Sequence, residues 1–121
     1  MSYHQDWLMQ QIEAISTMLG YILFGKRGEK ILVEPAAVTH SGDNALYRQL
    51  QAMVRQGKLC EAENLLYESL EAANEEALEA AKLFYDDLNA LSDEDLQTGN
   101  FSRQEIYEGL QMVCRAFGIP L

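Results

Sequence analysis

Histidine, cysteine and proline number two each and tryptophan one, and each scarcity closes off a kind of chemistry. His4 and His40 fall near a terminus and in a loop, and neither sits on a helix with an acid three or four residues away. The clustered ligands of zinc and di-iron bundle sites are therefore missing, and no metal or other cofactor is expected. Cys60 and Cys114 are isolated, without Cys-x-x-Cys spacing, so both read as small buried hydrophobes, although a bridge between them stays open. With two prolines, eight glycines and no low-complexity run, there is no long flexible linker to set aside.

Bases are scarce in one place above all. Residues 61–95 hold twelve acids against the single base Lys82, while the whole chain has a formal charge of -10. This stretch alone sums to -11, which leaves the rest of the chain near +1. Such a field repels phosphate backbones and anionic membrane surfaces, so nucleic acid is not an expected partner, and the acids read as a solvated face. Long apolar runs are also missing. The uncharged run Ala14 to Gly25 is too short to span a bilayer, which takes about 20 apolar residues, so no membrane span is expected. The N-terminus lacks the basic region of a signal peptide, which makes the expected location cytoplasmic.

What is present is helical periodicity. A chain of 121 residues, 48% hydrophobic, suits one domain, and residues 1–121 read as a single helical domain. Its parts are an N-terminal helix within 1–24, an irregular connection over 25–42 and a helical-hairpin bundle over 43–121. Asp6 is the expected cap of a helix in which Leu8, Ile12, Ile15, Leu19 and Ile22 form one stripe, ended by Gly25. Trp7, Ala14, Met18 and Tyr21 lie on a second face, so this helix wants two partners. In the connection, Ile31-Leu32-Val33 before Glu34-Pro35 reads as a tucked-in extended segment or one short strand, and an extended segment 31–38 folded back over the second face of the first helix is the alternative to a dimer there.

Ser41, Gly42 and Asp43 form a stop-and-cap signal for a helix with Leu46, Leu50, Met53 and Val54 inward, closing at Gly57. The next buries Leu59, Ala62, Leu65, Leu66 and Leu70; Asn74 caps a third with Ala77, Ala81, Phe84, Leu88 and Leu91 inward, widened by Leu78 and Tyr85. Ser92 starts a short turn. Ser102 and Glu105 have the spacing of a capping box before a last stripe of Ile106, Leu110, Val113 and Phe117, stopped by Gly118 and Pro120. The fold class is all-α, with five main helices near 6–24, 43–56, 59–72, 75–91 and 103–117.

Two patterns that imitate catalytic or binding motifs fail on context. Gly20, Gly25 and Lys26 match the start of a phosphate-binding loop, but Arg27 replaces the magnesium-binding Ser or Thr, and the surroundings are helical. Asp93-Glu94-Asp95 has no glycine-bent loop around it and reads as acids at a helix N-terminus. No general acid or base stands out, so the chain is not expected to be an enzyme.

Gln56-Gly57-Lys58-Leu59-Cys60-Glu61-Ala62-Glu63-Asn64-Leu65-Leu66 describes a turn glycine followed by a small residue and large apolar residues at helical spacing. Over about residues 44–73, Leu46, Met53, Gly57, Ala62, Leu66 and Leu70 fall where a tetratricopeptide repeat has its large residues, turn glycine and small contact residue. Gln49, Leu50, Ser69 and Asn74 depart from that pattern. The stretch thus resembles one tetratricopeptide-like antiparallel hairpin. That resemblance implies that Asn44, Tyr47, Gln51 and Arg55 line the face that binds extended peptides in such repeats.

Most of the chain also resembles a domain-of-unknown-function family of short bacterial proteins from Firmicutes. The resemblance rests on Asp6-Trp7-Leu8-Met9-Gln10-Gln11-Ile12-Glu13, Leu23-Phe24-Gly25-Lys26, Glu61-Ala62-Glu63-Asn64-Leu65-Leu66 and Phe101-Ser102-Arg103-Gln104-Glu105-Ile106-Tyr107-Glu108-Gly109-Leu110. It implies a bacterial cytosolic source and assigns no activity. The expected role is a non-enzymatic interaction or scaffold domain that binds a protein or peptide and forms a homodimer through Trp7, Met18 and Tyr21. The alternative is a small enzyme or ligand-binding bundle with its site between subunits.

Overall fold

The computed structural model describes residues 3–27 and 44–120. Six helices occur among them: α1 (Tyr3–Arg27), α2 (Ala45–Arg55), α3 (Leu59–Leu70), α4 (Glu75–Asn89), α5 (Asp93–Thr98) and α6 (Arg103–Ala116). The expected extended segment 31–38 and the signal at 41–43 lie outside the described residues.

α4 is the hub, packed against α1, α2, α3 and α6. Its sequence explains this position. Ala77, Ala80 and Ala81 allow close approach on one side, while Leu78, Phe84, Tyr85 and Leu88 fill the space between neighbours. Even Glu79 and Lys82 are buried, so α4 has more than the single apolar stripe that periodicity suggested. α1 lies on α4 and α6, and α3 lies on α2 and α4.

Local signals fix the helix ends. Asn44, Asn74, Ser92 and Ser102 each accept a backbone N–H of the first turn that follows, from Tyr47, Ala77, Asp95 and Glu105. After α2, Gly57 at φ +78° lets its own N–H reach Val54 O and that of Lys58 reach Met53 O, a Schellman close that turns the chain into α3. Gly118 closes α6 in the same way through Ile119 N–H to Cys114 O.

Five details differ from expectation. α1 continues through Gly25 to Arg27, because a lone helical glycine costs only about 1 kcal/mol and leaves every backbone bond intact. α1 begins at Tyr3, so Asp6 stands inside the first turn, near the positive end of the helix dipole, and not at the cap. The inward stripe of α1 ends on Leu23, with Ile22 half-buried, because Ser16 and Gly20 beside it are also covered and draw the buried face to that side. The short turn after Ser92 is a full helix, α5, so the bundle has six helices and not five. Cys60 is exposed, and only Cys114 is buried.

Candidate functional site

The second face of α1 is solvent-facing. Trp7 is 45% and Tyr21 60% exposed, and Ala14 between them is also exposed. One flank of this strip meets α6 at a cleft of about 490 Å³ lined by Gln11, Ala14, Ile15, Met18, Tyr107 and Gln111, with Pro120 at its edge. The edge of Trp7 packs on Tyr107 with ring centroids 5.5 Å apart, and His4 stacks over it at 6.1 Å. Trp7, Met18 and Tyr21 thus share one side of the molecule. Periodicity revealed the strip; the contribution of Tyr107 and Gln111 needed the α1/α6 contact, which no local pattern encodes.

Of the four residues suggested by the repeat resemblance, Asn44 at the cap of α2 and Tyr47 in its first turn bond across to α4. Asn44 is buried; its Oδ1 caps α2, and its Nδ2 donates to Glu76 O at 3.0 Å and Glu79 Oε1 at 2.8 Å. Tyr47 donates to Asp87 Oδ2 at 2.7 Å, and Gln51 donates to the Tyr47 hydroxyl at 3.4 Å. Burial and the carboxylate of Asp87 push the Tyr47 hydroxyl well above its ordinary pKa, and burial raises that of Asp87. Arg55, exposed at the end of α2, lines a cleft of about 370 Å³ with Leu59, Leu91 and Asp95, and its charge acts on Tyr47 and Asp87. Asn44 and Tyr47 therefore spend polar groups on the α2–α4 contact, and Gln51 supports the Tyr47 hydroxyl from within α2.

Two further polar clusters escaped sequence reasoning. Ser16 donates to Asp86 Oδ1, and Lys82 donates to Asp86 Oδ2 at 2.6 Å, which pairs the buried ammonium within the α1–α4 contact. On the other side of α4, Tyr85 and Tyr67 both donate to Glu63 Oε2, at 2.6 and 2.9 Å. Burial raises the pKa of Glu63 despite these bonds, with Glu105 and Glu108 adding to it, while burial pushes Tyr67 up to about 12. Both hydroxyls stay protonated donors near neutral pH. Among the described residues every buried side-chain nitrogen and oxygen has a partner, no three His, Cys, Asp or Glu are grouped to hold a metal ion, and no helix is long and apolar enough to cross a membrane.

A family model described as a family of unknown function, DUF6483, matches residues 2–118. The chain belongs to the DUF6483 family. No curated protein and no solved structure matches it. The match covers α1 through α6, so the aromatic strip of α1 and its α6 wall lie inside the family's domain.

Proposed function

We propose that this DUF6483 domain is a non-catalytic protein-interaction module that works as a homodimer, with the α1/α6 face as its docking surface. The observation that carries this reading is the exposure of Trp7 and Tyr21 on one strip beside the Met18–Tyr107 cleft. Large aromatics are costly to leave in water and are enriched where proteins meet. Electrostatics favour this face as well. The outer strip of α1, with Trp7, Gln10, Gln11, Ala14, Thr17, Met18 and Tyr21, carries no charge, and Glu61, Glu63 and Glu68 of the acid-rich stretch lie on α3, which packs on α2 and α4. Two copies meeting through α1 keep their α3 acids away from the contact.

Light scattering tests the reading at high micromolar concentration. The wild type is expected at twice its 13.7 kDa chain mass, and Tyr21→Glu and Met18→Glu at the single-chain mass with unchanged helical circular dichroism. Tyr21 is exposed enough that its replacement leaves the core alone. A wild-type monomer at that concentration overturns the reading.

A further inference from the structure

The strip on α1 has a self-complementary order, and from it we infer that two copies pair antiparallel through α1 about a two-fold axis at Ala14, setting Trp7 of each copy against Tyr21 of the other. This geometry rests on the proposal above that the domain pairs through this face.

Trp7 and Tyr21 each stand seven residues from Ala14, on opposite sides. Seven residues are nearly two helical turns, so all three residues project in almost one direction, with the aromatics about 10 Å along the axis from Ala14. A two-fold axis crossing Ala14 therefore superposes each aromatic position on the other's partner level. The smallest of the three side chains falls on the axis, where the two backbones come closest. The largest fall outside it, where helices crossing at a shallow angle of about 20° have begun to separate and leave room for rings. A parallel pairing would set Trp7 against Trp7 and Tyr21 against Tyr21, bringing together the two ends already filled by like rings.

Charge selects a second copy as the occupant. Positions 7, 10, 11, 14, 17, 18 and 21 are Trp, Gln, Gln, Ala, Thr, Met and Tyr, without one charge, in a chain of formal charge -10. A basic partner would find no acid on this strip. An identical copy finds no like charge in the contact. Glu13 lies at the strip's edge and is solvent-exposed, where screening by salt acts fully. Area points the same way. The exposed parts of Trp7 and Tyr21 on two copies supply on the order of 500 Å², roughly half of what a specific interface needs, before the flanking glutamines and Met18 are counted.

The pairing makes a distance prediction on residues that leave the aromatic strip intact. Gln10 and Thr17 are exposed and share one flank of α1. In the antiparallel pair, Gln10 of one copy is about 1.5 Å along the axis from Thr17 of the other, while the two Gln10 positions are about 12 Å apart, beyond the reach of a disulfide. The test uses full-length chains carrying Cys60→Ser, since Cys60 is exposed. Gln10→Cys and Thr17→Cys are mixed in equal amounts under mild oxidation and read by intact mass, beside Ala14→Cys alone and light scattering of each sample. The expected result is a mixed Gln10→Cys/Thr17→Cys disulfide dimer, little bridging of either variant alone, and efficient bridging of Ala14→Cys. Dimers by light scattering without the mixed bridge, or with Gln10→Cys bridging to itself, overturn the register and leave self-association standing. Monomers throughout overturn both.

Discussion

The ring of Tyr85 on α4 occupies the space above Gly109 on α6: a Cβ added to Gly109 would stand 2.2 Å from Tyr85 Oη and 2.4 Å from Cζ. Glycine at this position is a packing requirement of the α4–α6 contact, because Tyr85 is fully buried and tied to Glu63. Gly109→Ala should therefore destabilise the fold even though alanine is the better helix former, with overpacking costing about 1–3 kcal/mol. Removing the hydroxyl does not cure the clash, since the ring carbon is already too near. Thermal melts of Gly109→Ala with and without Tyr85→Phe should both fall below the wild type; a higher midpoint for Gly109→Ala would mean that α6 moves away at no cost.

Glu63, which accepts the hydroxyl of that tyrosine, makes stability depend on pH through its burial. Burial holds the folded pKa of Glu63 above its ordinary value of 4.5. The fold thus favours the protonated acid. Its contribution is a cost at neutral pH, which fades as pH falls through the folded pKa and is gone below 4.5. Glu63→Gln keeps an oxygen acceptor for Tyr85 and Tyr67 but no longer titrates. The melting midpoint of Glu63→Gln relative to wild type should be highest near pH 7 and decline as pH falls to 4.5. A difference that is flat over this range would show that Glu63 titrates alike in folded and unfolded chains.

Turn geometry and close packing give a third set of outcomes. Ala62 on α3 is fully buried, so Ala62→Leu should cost about 1–3 kcal/mol. Gly57 sits at φ +78° with open space where a Cβ would be, which makes Gly57→Val strained by backbone alone, by roughly 1–2 kcal/mol. Ala73, after α3, has φ +49° without being glycine. Ala73→Gly should accordingly raise stability by up to about 1 kcal/mol. Urea titrations of the three rank them, and a stabilised Gly57→Val would refute the turn's role.

How much of this could be read in the sequence depends on the range of each interaction. Asn74, Ser102 and Gly57 act within four residues of themselves, and their caps and turn stand where the pattern put them. The apolar stripes likewise place Ile12, Leu19, Leu66, Phe84 and Leu110 inside. Gly25 misled because glycine punctuates helices without being bound to end them. The buried pairs are a different matter. Lys82, Asp86 and Glu63 read as surface charge in an acidic run, since only the packing of α4 against α1 and α3 reveals that Lys82 is buried and that Asp86 and Glu63 are partly covered. In the candidate surface, Trp7, Met18 and Tyr21 were legible from spacing. Tyr107, 86 residues further on than Tyr21, was not.

Arg103 offers the sharpest separation between geometry and charge. Its guanidinium donates to Asn89 O at 2.8 Å, Asn89 Oδ1 at 2.9 Å and Leu91 O at 2.7 Å, and so satisfies carbonyls left over at the C-terminal end of α4. It also reaches Asp93 Oδ1 at 3.1 Å, to which Gln5 donates as well. The bonds from Gln5 and Arg103 hold the Asp93 carboxyl below the usual range. The Arg103 side chain is 10% exposed and that of Asp93 67% exposed. An ion pair that open to water contributes little, whereas the carbonyl bonds need a planar fork that a lysine ammonium lacks. Arg103→Lys keeps the charge and loses the fork, and should cost about 2 kcal/mol; Asp93→Asn removes the charge and should cost clearly less than Arg103→Lys does. Chemical denaturation of the two variants at 0.1 and 0.5 M salt measures the order directly. Arg103→Lys as the milder change, or a loss in Asp93→Asn that salt abolishes and Arg103→Lys does not match, would assign this corner of the fold to charge pairing and not to the capping of α4.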